Sequence, residues 1–135
     1  MRAVFDASVI AAAVCWNGEP YLCLVKMARR QVWPFGSQET LAETREICSQ
    51  LIRQKAPRHN ATGRLTWYLE KLQLVDPSPL GKQRSRDAKD DPYLAAALSA
   101  RAQVIVTFDK DLLVLGKPFG VAIISPAQLL NAIKG

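Results

Sequence analysis

Short apolar runs alternate with longer amphipathic ones along the whole chain, and their periods assign elements to them. Ala3 to Phe5 reads as a buried strand that stops at Asp6. "VIAAAVC" then suits a helix lying close on a sheet, because alanine permits close approach. Asn17 to Glu19 breaks the chain, and "PYLCLVKMARR" follows as an amphipathic helix with Pro20 in its first turn. "QVWPF" is strand-like. Ser37 opens a long helix reaching Lys55, with Ser37 and Thr40, or Thr40 and Glu43, available for capping. Its apolar stripe runs through Leu41, Ile47, Cys48, Leu51 and Ile52. A further helix is predicted from about Asn60, then a strand-like "QLVDP" closed by Pro77 and Pro79. Beyond the charged loop "SPLGKQRSRDAKDD" come a helix ("PYLAAALSARA"), a strand ("QVIVTF") and a short helix or turn ("DKDLLVLG"). A strand ("VAIIS") and a terminal helix ("PAQLLNAI") complete the chain.

This alternation predicts an α/β domain spanning residues 1–135, with a mostly parallel central sheet flanked by helices. Ligands of such sheets bind at the carboxyl ends of the strands. Asp6 and Asp109 both follow apolar strand candidates, so both are expected at that edge.

Composition changes the picture in three places. Hydrophobic content of 49% and charged content of 22% are those of a globular protein and exclude global disorder. Cys15, Cys23 and Cys48 form no CxxC pair and no cluster with histidine, so they read as reduced thiols and not as a disulfide framework or a zinc site. With no apolar run of about 20 residues, a membrane span is not expected, and the chain reads as cytoplasmic. The net charge of +6 favours an anionic partner.

The carboxylates carry the candidate chemistry. Asp6 and Asp91 each stand where a helix starts, so each is a natural N-cap as well as a candidate metal ligand. The two roles are compatible, since one oxygen can face the backbone and the other a cation. Asp109 and Asp111 flank Lys110, and their mutual repulsion would be relieved by that lysine or by a divalent ion. Glu39 and Glu46 fall opposite the apolar stripe of the long helix. Glu43 lies at its flank, where spacing alone makes it a surface residue. Oxygen donors without histidine or cysteine suit Mg²⁺ or Mn²⁺. His59, alone in a polar loop, reads as a surface residue and offers no triad.

An acidic cage on a basic chain is the electrostatic plan of a metal-dependent nuclease, in which cations hold the phosphate backbone and metal ions promote in-line hydrolysis. Lys82, Arg84, Arg86 and Lys89 lead into the acidic segment and are candidate RNA contacts, or a solvated loop. Trp16, Trp33 and Trp67 have the chemistry to stack bases but read by default as core or interface residues.

"VFDASVI", "LAETREI", "RDAKDDPYLAAAL" and "VIVTFDKDLL", in this order and at these separations, resemble a PIN domain, and most of all the PIN-family toxins of prokaryotic toxin–antitoxin pairs. The resemblance covers essentially the whole chain. It implies a three-layer fold, Mg²⁺- or Mn²⁺-dependent cleavage of RNA, an antitoxin partner and homodimerisation. It maps the acidic quartet onto Asp6, Glu43, Asp91 and Asp109, with Asp111 as a fifth ligand, and it moves Glu43 from the surface to the site. Ser8 stands where the family often has asparagine, and Phe108 where a small residue is common. Ser8 and Thr107 would support the carboxylates through their hydroxyls. Two rivals are a non-catalytic RNA-binding or interaction module of the same fold and a phosphoacceptor signalling domain. The second lacks the lysine it needs after a late strand, since "VAIIS" runs into Ser125 and Pro126.

Overall fold

The structure, a computed structural model, describes residues 1–79 and 91–133; the basic run from Lys82 to Lys89 lies outside them. Among the described residues five short strands carry the sheet: β1 (Arg2–Phe5), β2 (Trp33–Gly36), β3 (Gln73–Leu74), β4 (Val104–Val106) and β5 (Ala122–Ile124). All pair in parallel, in the order β3-β2-β1-β4-β5. The helices are α1 (Ala7–Cys15), α2 (Glu19–Ala28), α3 (Gln38–Lys55), α4 (Ala61–Lys71), α5 (Asp91–Ala100), α6 (Lys110–Leu113) and α7 (Pro126–Ala132). A 3₁₀ turn at Pro118–Gly120, which no sequence pattern announced, precedes β5.

The period-2 alternation of the strands divides the core in two. Ala3 and Phe5 of β1, with Val104 and Val106 of β4, pack under α1, α2, α4 and α7. Val4 and Ile105 point the other way, onto Tyr93, Leu94 and Ala97 of α5 and Leu112 of α6. Parallel strands buried on both faces must be apolar throughout, which is why β4 is simply Val-Ile-Val. The result is the parallel α/β sheet that the alternation predicted, in the three-layer arrangement that the resemblance implied.

Local chemistry sets the helix boundaries. Ser37 caps α3 through Thr40 in a complete capping box, with Thr40 N–H donating to Ser37 Oγ at 3.2 Å and Ser37 N–H to Thr40 Oγ1 at 2.9 Å. Glu43 therefore takes no part in capping. Cys48 of the expected stripe on α3 is buried and Leu41, Leu51 and Ile52 pack against the core, but Ile47 is exposed and Thr40 and Thr44 are buried, so the buried side is turned towards the two threonines. That rotation brings Glu43 towards the sheet edge. His59 is no idle surface residue either. Its Nε2 lies 2.7 Å from the Val14 carbonyl, and Arg64 donates to the carbonyls of Ala13 and Trp16, so α4 and the turn before it satisfy the last turn of α1.

Helices α2 and α5 end alike. Arg30 N–H bonds to Met27 O and Gln31 N–H to Lys26 O; Arg101 N–H bonds to Leu98 O and Ala102 N–H to Ala97 O. These are two Schellman closures, with arginine at φ 61° and 52° in the left-handed position where glycine is preferred. Each arginine costs about 1 kcal/mol there relative to glycine.

Among the described residues no single helix is long and apolar enough to cross a membrane.

Candidate active site

Strand order reverses direction between β1 and β4. Connections from β1 through β3 run over one face and those from α5 through β5 over the other, which opens a crevice at the carboxyl ends of β1 and β4. Asp6 stands at the end of β1, and its N–H donates to Val106 O at 2.9 Å, locking the two strand ends together. Position makes Asp6 the N-cap of α1, yet its carboxylate makes no capping bond. The Asp6 carbonyl accepts from Val9 N–H instead. Oδ2 accepts from Thr107 Oγ1 at 2.8 Å and from Ser8 Oγ at 3.1 Å, while the side chain is only 8% exposed. A cap has no use for such burial.

Thr107 is fully buried and links two acids. Its hydroxyl donates to Asp6 and accepts from Asp109 N–H at 2.9 Å. Asp109 in turn accepts from Asp111 N–H at 2.8 Å through Oδ1, so it does cap α6. The half-exposed Phe108 between them does not pack beneath the acids.

Glu43 approaches from α3, held by a residue that the sequence pattern concealed. Tyr93 Oη donates to Glu43 Oε1 at 2.7 Å, and the tyrosine is 1% exposed. Burial first, then the hydrogen bond and charge of Glu43 and the charge of Asp6, push this hydroxyl well above the ordinary tyrosine range. One phenol thus senses both carboxylates. Nothing in the sequence pattern gave Tyr93 a role; it stands two residues after Asp91 on α5. Asp91 is itself the first residue of α5 and half-buried, so the helix begins one residue earlier than Pro92.

Whether these residues suit a divalent cation can be tested on their donors. All are hard oxygens, and Asp6, Glu43 and Asp109 have no ion-pair partner among the described residues. That chemistry fits Mg²⁺ or Mn²⁺. The spacing is open, since no three acids, histidines or cysteines among the described residues form a ready-made cage.

A parallel α/β/α sheet with acids at its switch point belongs to the class of doubly wound folds that bind their ligands at the carboxyl ends of the strands. The PIN domain model matches residues 2–111, from the first strand to Asp111, and the chain belongs to the PIN domain family. Comparison with curated proteins and with solved structures gives no match.

Proposed function

We propose that this chain is a Mg²⁺- or Mn²⁺-dependent endoribonuclease acting as the toxin of a toxin–antitoxin pair. The observation that carries the reading is Asp6, a nearly buried carboxylate at the switch point that is oriented by two hydroxyls and left without a protein cation among the described residues. Asp6, Glu43, Asp91 and Asp109 would hold the cation, with Asp111 as a further ligand. A cation bound there supplies Lewis-acid polarisation of the phosphodiester and a water acidic enough to attack it. Thr107 and Ser8 fix Asp6 through Oδ2, which leaves Oδ1 for a ligand. Tyr93 fixes Glu43 through Oε1 and leaves Oε2. Orienting contacts of this kind are worth about 10- to 100-fold in metal affinity or activity.

The net charge of +6 supports a polyanionic substrate, and Lys82, Arg84, Arg86 and Lys89 are proposed to guide the RNA. A nuclease of this kind working in the cytoplasm must be restrained. A partner placing a cationic side chain among the carboxylates would compete directly with the metal. Homodimerisation, implied by the resemblance, belongs to the same proposal.

Cleavage of a mixed RNA panel in Mg²⁺, Mn²⁺ or EDTA, by wild type and by Asp6→Asn and Asp91→Asn, tests the reading. Metal-dependent cutting lost in both variants supports it. A folded, partner-free wild type inert with either metal would leave the non-catalytic binding module as the better reading.

A further inference from the structure

The amino ends of the strands, the full length of β1 away from Asp6, carry a second chemistry. Arg2 and Trp33 are register partners on β1 and β2, so their side chains share the face that β1 and β2 turn towards α5. They line a cleft of about 410 Å³ together with Met1, Phe35, Arg101 and Gln103. Trp33 also borders an adjoining cleft of about 330 Å³ that contains Arg30, Trp67 and Lys71. Neither lining contains an acidic side chain. Trp33 is 42% exposed, so of the two default readings of the tryptophans it is not a core residue.

The backbone supplies an independent argument. Arg30 and Arg101 occupy left-handed positions that close α2 and α5, where glycine would serve the fold better. Both border these clefts. Ala56 takes the same left-handed position after α3 without a charge, whereas both arginine closures bring a guanidinium to this one edge. Neither arginine has an ion-pair or hydrogen-bonding side-chain partner among the described residues.

We infer that this edge binds single-stranded RNA, with a base stacked on Trp33 and phosphates held by Arg2, Arg101 and Arg30. Aromatic faces interleaved with unpaired cations are what sequence-tolerant single-strand binding requires, since every base has a π-face and every linkage a negative charge. The inference does not depend on the nuclease reading, because stacking and phosphate contacts need no metal.

Binding is therefore measured in EDTA, with the full chain and a short fluorescein-labelled oligouridylate, by anisotropy. Trp33→Leu is expected to weaken binding about tenfold and to abolish the quenching of tryptophan emission by RNA. Arg2→Gln and Arg101→Gly are each expected to weaken it about fivefold at 0.1 M salt and to reduce the salt slope by about 0.7. Arg101→Gly should also melt at the same or a higher temperature than wild type, which separates lost binding from lost structure. The inference is overturned if wild type does not bind, if all three variants stay within twofold of it, or if Arg101→Gly binds worse only because it melts lower. It is equally overturned if sedimentation shows Trp33→Leu dissociating a dimer, which would make this edge a contact between copies of the chain.

Discussion

The two edges of one small sheet have opposite chemistry. At the carboxyl ends of the strands, Asp6, Glu43 and Asp109 are held by hydroxyls from Ser8, Thr107 and Tyr93 and by backbone N–H groups. At the amino ends, Arg2, Arg30 and Arg101 surround an exposed tryptophan. Hydrogen bonding differs as sharply as charge. Each of the three acids accepts at least one bond of defined length, so its rotamer is set before any ligand arrives. Arg30 and Arg101 are fixed at the backbone in left-handed closures, and neither side chain has a hydrogen-bond or ion-pair partner among the described residues. Fixed geometry suits a reaction centre, where small displacements are costly. Cations without a fixed partner suit a surface that follows a flexible polyanion.

Substitutions can break or sharpen this contrast. The largest effect is expected at Asp6, where Asn keeps the shape but removes the charge. Cleavage should fall by 100-fold or more while the urea midpoint stays near wild type. Thr107→Val comes next, because one hydroxyl serves two acids. The variant should lose about 1–3 kcal/mol in urea unfolding, since Asp109 N–H is left unpaired, and it should also cleave more slowly. Gly36→Ala, at the carboxyl end of β2, should cost a similar amount without removing any carboxylate or hydroxyl of the site. A Cβ there would lie 2.7 Å from Thr40 Oγ1, which is pinned in the capping box, and 3.3 Å from Leu72 Cδ1.

Tyr93→Phe should destabilise by about 1–2 kcal/mol and loosen Glu43, so the metal concentration needed for cleavage should rise more than the maximal rate falls. An effect absent at neutral pH lies in alkaline titration. Burial pushes Cys23 and Cys48 up to about 12 from an ordinary value of 9.0. The unfolded chain therefore binds fewer protons than the folded one between about pH 9 and 12. Stability is intact below that window and declines as pH rises through it, and Tyr93 and Tyr68, also raised, extend the loss upwards. Denaturation midpoints measured across this range check the sign, and native thiol labelling at neutral pH should be slow at both cysteines.

Much of the architecture was legible before any coordinates. Val-Ile-Val in β4 and Ala-Val-Phe in β1 are too short and too apolar for surface elements, and their alternation with helical periods predicts parallel pairing. Ser125 with Gln128 marks the start of α7 as a complete capping box. The site was legible only in part. Asp6 and Asp109 could be placed at one edge because strand ends share an edge by topology. Glu43 could not, because its approach depends on which side of α3 is buried. Cys48, Leu41, Leu51 and Ile52 of the predicted stripe do meet the core, but Thr40 and Thr44, polar by composition, are buried beside them while Ile47 is exposed, so the stripe alone did not show how far the helix is turned.

By itself the sequence determined the order of elements, the apolar strands and the positions where carboxylates emerge, since these follow from local period and from the few residues that can start or end an element. Only the tertiary structure decided what those carboxylates touch. Asp6 gives up its side-chain cap for Thr107, 101 positions away, and Glu43 meets Tyr93, 50 positions away. It likewise set Arg2, Trp33 and Arg101 side by side at the opposite edge. Contacts of that span arise from strand order and helix rotation, which depend on the whole core and leave no local mark.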